Sequence, residues 1–138
     1  MLDTKGWGVV VVTKRQPVTS VAQFLTANKI GAAPVVDEDG LVVGMLSERD
    51  ITRAVGQYGE DAVCKVAEEL MTKLVATCTP EDNIIDIMQL MTSKRCRHIP
   101  VMNGERLLGI VSIGDVVKAR LEEAQFEVDA LRSYITSP

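Results

Sequence analysis

The sequence predicts an α/β (α+β) fold built from two copies of one unit, each running strand, helix, strand, strand, helix. Three observations predict it. An amphipathic stripe, Val18, Val21, Ala22 and Leu25, recurs 66 residues later as Ile84, Ile87, Met88 and Met91. A proline leading an apolar strand, Pro34-Val35-Val36, recurs at the same offset as Pro100-Val101-Met102. A glycine-containing apolar run followed by Ser-x-x-Asp occurs twice, with the motif at Ser47-Glu48-Arg49-Asp50 and at Ser112-Ile113-Gly114-Asp115.

Taken in order, the apolar run 9–12 reads as a first strand and 74–75 as its counterpart. The i, i+3, i+4, i+7 spacing that follows predicts a helix opening near Pro17, whose fixed φ suits a first turn. Turn signals, Asp37-Glu38-Asp39-Gly40 and Asn103-Gly104, join each proline strand to the apolar runs 41–46 and 107–111, so both read as β-hairpins. The second turn is one residue shorter, and beyond it the offset falls to 65. After Ser112 the chain continues through Val117, Leu121, Ala124, Val128, Leu131 and Ile135, whose alternating steps of four and three form a heptad seam. That helix either lies on its own domain or pairs with a second copy. The repeats divide as 1–66 and as 67–138, the latter with a C-terminal helical extension. Units of about 65 residues bury too little surface to stand alone, so the two are expected to pack through their sheets with pseudo-twofold symmetry.

Composition narrows the function. Of 138 residues 46% are apolar, and the net charge is -4 with no Lys/Arg run, which argues against nucleic acid as a partner. No stretch has the length of a membrane helix and the first residues lack a signal-peptide core, so no membrane partner and a cytoplasmic location are expected, or the mitochondrial matrix in a processed eukaryotic protein. Cys64, Cys78 and Cys96, odd in number and widely spaced, read as reduced thiols, and with His98 as the one histidine they make a poor zinc set. No phosphate-binding G-x-x-x-x-G-K-[ST] loop, H-E-x-x-H helix or G-x-S-x-G elbow occurs, so no catalytic residue is assigned.

The pattern of Pro, Val, turn, glycine-bearing strand and Ser-x-x-Asp resembles the cystathionine-β-synthase (CBS) domain. Two in tandem resemble a Bateman module. The segments Arg97-His98-Ile99-Pro100-Val101 and 109–118 are especially typical, and the resemblance covers nearly the whole chain. It implies a non-catalytic regulatory module that binds AMP, ADP, ATP, NAD(H) or S-adenosylmethionine and modulates another protein, here an unknown regulated protein. It also implies a homodimer shaped as a flat disc, for which the surplus apolar faces of the helices after Ser47 and Ser112 give independent support.

Read from the residues alone, Ser-x-x-Asp is a capping-box variant that satisfies free N–H groups at a helix start. The same helix start favours phosphate. By resemblance, Asp50 and Asp115 accept from ribose hydroxyls while Ser47 and Ser112 face phosphate. Val9, Val10, Ala32, Ala33 and Pro34 would enclose the base in one half, and Val75, Ala76, His98, Ile99 and Pro100 in the other; packing alone makes all of them core. Arg97 and His98 would contact phosphate, Arg49 would reach the opposite repeat's site, and Lys118 is a weaker candidate. Because Arg97 and His98 align with Gly31 and Ala32, the Asp115 site is expected to collect the cations and bind, and the Asp50 site to stay weak. Two other readings stand beside this one: a nucleotide-free interaction module, and a redox protein using a Cys96 thiol activated by neighbouring cations.

Overall fold

A computed structural model describes residues 10–74 and 76–136. The first repeat contains β1 (Val12–Thr13), α1 (Val18–Asn28), β2 (Ala32–Val36), β3 (Val42–Ser47) and α2 (Glu48–Tyr58). A 3-10 turn (Gly59–Cys64), α3 (Ala67–Leu70) and β4 (Thr72–Lys73) connect it to α4 (Ile84–Lys94), β5 (His98–Asn103), β6 (Arg106–Ser112) and α5 (Ile113–Thr136). The expected hairpins and helices are present in both halves.

The periodic residues explain the layers. Val21 and Leu25, one turn apart on α1, bury against Val12, Ala33, Val35 and Leu46 of the sheet. In the second half Ile87 and Met91 of α4 bury against Cys78, Ile99 and Val116. Cys78 occupies the place of Val12: Val12 pairs parallel with Val35, and Cys78 bridges Val101 in parallel, both partners 66 residues on. A third apolar cluster joins the halves, with Val11 and Val36 of the first against Leu107 of the second. The strand faces, each too small to shed water alone, are covered by one another.

The first strands depart from expectation. Within the run 9–12 only Val12 is in a strand, and Val9 lies outside the described residues. Of the counterpart at 74–75, Leu74 is not in a strand and Val75 lies outside the described residues; the pairing residues are Thr72 and Lys73, and β4 runs antiparallel to β3 of the first repeat. Gly44 permits this, since a Cβ there would stand 2.7 Å from the Thr72 carbonyl oxygen. Ala67 of α3 is fully buried in the first core, so the chain just after residue 66 packs on the first repeat.

Helices α1 and α4 end alike, on Lys29 and Arg95, both left-handed at φ 54° and 53°. Helix α5 runs for 24 residues, and its seam is uncovered, with Leu121 65% and Leu131 59% exposed.

Candidate functional site

Each Ser-x-x-Asp closes the capping box that its spacing predicts. Asp50 N–H donates to Ser47 Oγ at 3.2 Å, and Ser47 N–H donates to Asp50 Oδ2 at 2.9 Å. In the second half Asp115 N–H reaches Ser112 Oγ at 3.1 Å and Ser112 N–H reaches Asp115 Oδ2 at 3.0 Å. Both starts are pinned to the preceding loop, by Glu48 N–H on the Gly31 carbonyl at 2.9 Å and Ile113 N–H on the Arg97 carbonyl at 2.8 Å. The N–H groups of Arg49 and Gly114, at the second helical position, have no carbonyl in their own helix to bond.

Beyond the caps the two carboxylates differ. Asp50 is buried, and its Oδ1 accepts from Arg53 Nη1 at 3.2 Å and from the Thr72 hydroxyl at 3.3 Å. Asp115 is exposed, and among the described residues its Oδ1 has no partner.

Two adjoining cavities lie between the repeats. The first, of about 440 Å³, combines Ser47, Arg49 and Asp50 of the first repeat with Ala76, Arg97, His98, Pro100 and Ser112 of the second. The other, of about 480 Å³, combines Ser112 and Asp115 with Val10, Lys29, Ile30, Gly31 and Ala32. Gly31, Ala32, His98 and Ser112 border both.

The lining differs from the expected grouping. Arg97 and Arg49 line the cavity that holds Asp50, not the one that holds Asp115. Likewise Ala76 and Pro100 face Asp50, while Val10 faces Asp115. The physical reason is that offsets along the chain describe each repeat by itself, whereas the cavities form where the repeats face each other. Each Ser-x-x-Asp therefore meets the pre-proline segment of the opposite repeat. Ile99, Ala33 and Pro34 are fully buried and line neither cavity. Lys118 is exposed and also lines neither.

Sequence reading missed several lining residues. Arg53, Lys73 and Arg95 line the first cavity and Lys29 the second. One signal was available: Lys29 and Arg95 are both basic, both follow a helix and stand 66 apart. Nothing in the spacing pointed to Thr72 or Lys73, which β4 brings in.

Burial pushes the His98 imidazole below its ordinary value; Asp115, Asp50 and Glu48 pull it back up, and Arg97 opposes them. Burial also raises the Cys96 thiol, with a backbone hydrogen bond and then Lys94 only partly offsetting it. The expected cation activation of that thiol is thus outweighed. Among the described residues no cluster of three His, Cys, Asp or Glu could hold a metal, and no helix is long and apolar enough to cross a membrane.

The CBS domain family matches residues 7–57 and 66–122. The chain is 37% identical over 128 residues to the mitochondrial CBS domain-containing protein CBSX3 of Arabidopsis thaliana, which takes in 89% of this chain and 62% of that protein. A CBS-domain protein from Agrobacterium tumefaciens superposes with TM-score 0.78 at 43% identity, over 86% of this chain and 88% of the other. Two further structures are complexes with AMP: CBSX2, at 26% identity and TM-score 0.69 over 84% and 90% of the two chains, and a Pyrobaculum aerophilum CBS domain protein, at 28% and 0.68 over 76% and 82%. With two family segments, repeated at a fixed offset and packed face to face, the chain belongs to the CBS domain family as a tandem pair.

Proposed function

We propose that this protein is a regulatory module that binds an adenosine nucleotide, AMP, ADP, ATP or NAD(H), between its two repeats, and that occupancy alters its affinity for a regulated partner. One observation carries the reading. The first cavity places a capped Ser-x-x-Asp of one repeat against arginines, a histidine and an apolar wall from the other. Such a mixture suits a ligand with a flat apolar base, a diol and an anionic end. The AMP complexes of the two structural relatives support an adenosine ligand. Ser47 and Asp50 would face ribose, Ala76 and Pro100 the base, and Arg49, Arg97, His98 and Ser112 the phosphate. In the adjoining cavity Asp115, Val10 and Ala32 would form a second, less cationic site. No group in either cavity is assigned a catalytic role, and the site is proposed to be regulatory.

A ligand can regulate only by binding two states unequally. The seam between repeats is suited to this, because a ligand there contacts both. We further propose a homodimer that covers the exposed apolar side chains Val55 of α2, Ile85 and Met88 of α4, and Val117 and Leu121 of α5. Light scattering checks it: the mass of one chain at micromolar concentration overturns the dimer.

The test of nucleotide binding is a thermal-shift panel of AMP, ADP, ATP and NADH. A ligand that binds only the folded chain raises the melting temperature by mass action. A chain indifferent to all four at millimolar concentration is instead the nucleotide-free interaction module, whose sites are vestigial and whose product is the dimer surface.

A further inference from the structure

We infer that the cavity beside Asp50 selects nucleoside di- and triphosphates over monophosphates, an inference that rests on the nucleotide-binding reading above. The observation is an excess of positive charge at one place in an acidic chain. Arg49, Arg53, Arg95, Arg97 and Lys73 line this cavity, against the carboxylates of Glu48 and Asp50. Among the described residues only Arg53 is paired there, with Asp50 at 3.2 Å. Among the described residues Arg49, Arg95, Arg97 and Lys73 have no carboxylate within salt-bridge distance. Four unpaired cations facing one void repel each other, and an anion in the void relieves that repulsion. Five cations against Glu48 and Asp50 leave a net charge of about +3 in the lining, of which a monophosphate, with about two negative charges, leaves part uncompensated, whereas a di- or triphosphate, with about three or four, neutralises it.

The backbone gives a second, independent reason. Arg95 holds a left-handed conformation at φ 53°, which costs a non-glycine residue energy and is the place where a helix ordinarily ends on glycine. Residues held in such conformations cluster at functional sites. Its counterpart Lys29, at φ 54°, borders the other cavity. Arginine at this position brings a forked cation to the rim of the Asp50 cavity, whereas glycine would be easier for the fold.

Arg95 therefore separates binding from folding. The experiment is calorimetric titration of the full chain with AMP, ATP and inorganic tripolyphosphate in magnesium-free buffer, on the wild type, Arg95→Gly and Lys73→Ala. ATP is expected to bind the wild type about tenfold more tightly than AMP, the scale of a single charge-assisted contact. In Arg95→Gly that advantage shrinks severalfold because ATP loses more affinity than AMP, and the melting temperature does not fall. Lys73→Ala shrinks the advantage too. Equal affinity of the wild type for AMP and ATP, or an equal loss of both in Arg95→Gly, overturns the selectivity while leaving nucleotide binding intact. Absence of heat with both nucleotides overturns the binding reading as well.

Discussion

The Thr72 hydroxyl donates to Asp50 Oδ1 at 3.3 Å across a sequence separation of 22, at the oxygen that also accepts from Arg53. The linker between the repeats is thus tied to the cap of α2. Among the described residues Asp115 has no such tie. We expect Asp50→Ala to cost about 2 to 3 kcal/mol, a lost cap together with charge-assisted bonds left without an acceptor. Asp115→Ala, which removes only an exposed cap, should cost about 1 kcal/mol. Urea unfolding measures both, and equal losses would contradict the asymmetry.

Arg97 is exposed, lines the Asp50 cavity and has no carboxylate partner among the described residues. Arg97→Ala should therefore weaken nucleotide binding by about tenfold while stability stays within about 0.5 kcal/mol. Lys118→Ala serves as the control, because Lys118 lines neither cavity. Calorimetry that found the two variants equivalent would remove Arg97 from the site.

His98 links stability to pH. Its folded pKa lies below the ordinary 6.5 because of burial, so between the depressed value and 6.5 the unfolded chain binds more protons than the folded one. Stability therefore rises with pH across that window and is lost as the pH falls through it. His98→Gln should flatten this part of the curve. Melting temperatures taken from pH 7.5 downward test it, and an unchanged slope in the variant assigns the effect elsewhere.

Two glycines should respond with opposite sign. Gly44→Ala forces a methyl group to 2.7 Å from the Thr72 carbonyl oxygen and 2.6 Å from Met71 Sδ, and should cost about 1 to 3 kcal/mol. Gly56, exposed within α2, has nothing within 4 Å of an added Cβ. Gly56→Ala should stabilise the helix by up to about 1 kcal/mol. Denaturation midpoints that moved the same way in both would refute the close approach of β4 to β3.

Much of the architecture could be read from the chain because it depends on neighbours in sequence. The stripe of Val18, Val21 and Leu25 needs only helical periodicity to predict a buried face, and Ser47 with Asp50 needs only a three-residue spacing to predict a capping box. The repeat at an offset of 66 then carried each assignment from one half to the other. It also carried the family resemblance, and with it the expectation of a tandem pair. The side chains that meet across the halves depend on something else, the relative placement of two sheets joined by the cluster of Val11, Val36 and Leu107. That placement put Arg97 in the lining of the Asp50 cavity and not of the Asp115 cavity, and brought Thr72 onto the Asp50 carboxylate through a two-residue strand with no pattern of its own. Periodicity records which face of an element is apolar; only the packing of those faces decides which polar side chains come to share a cavity.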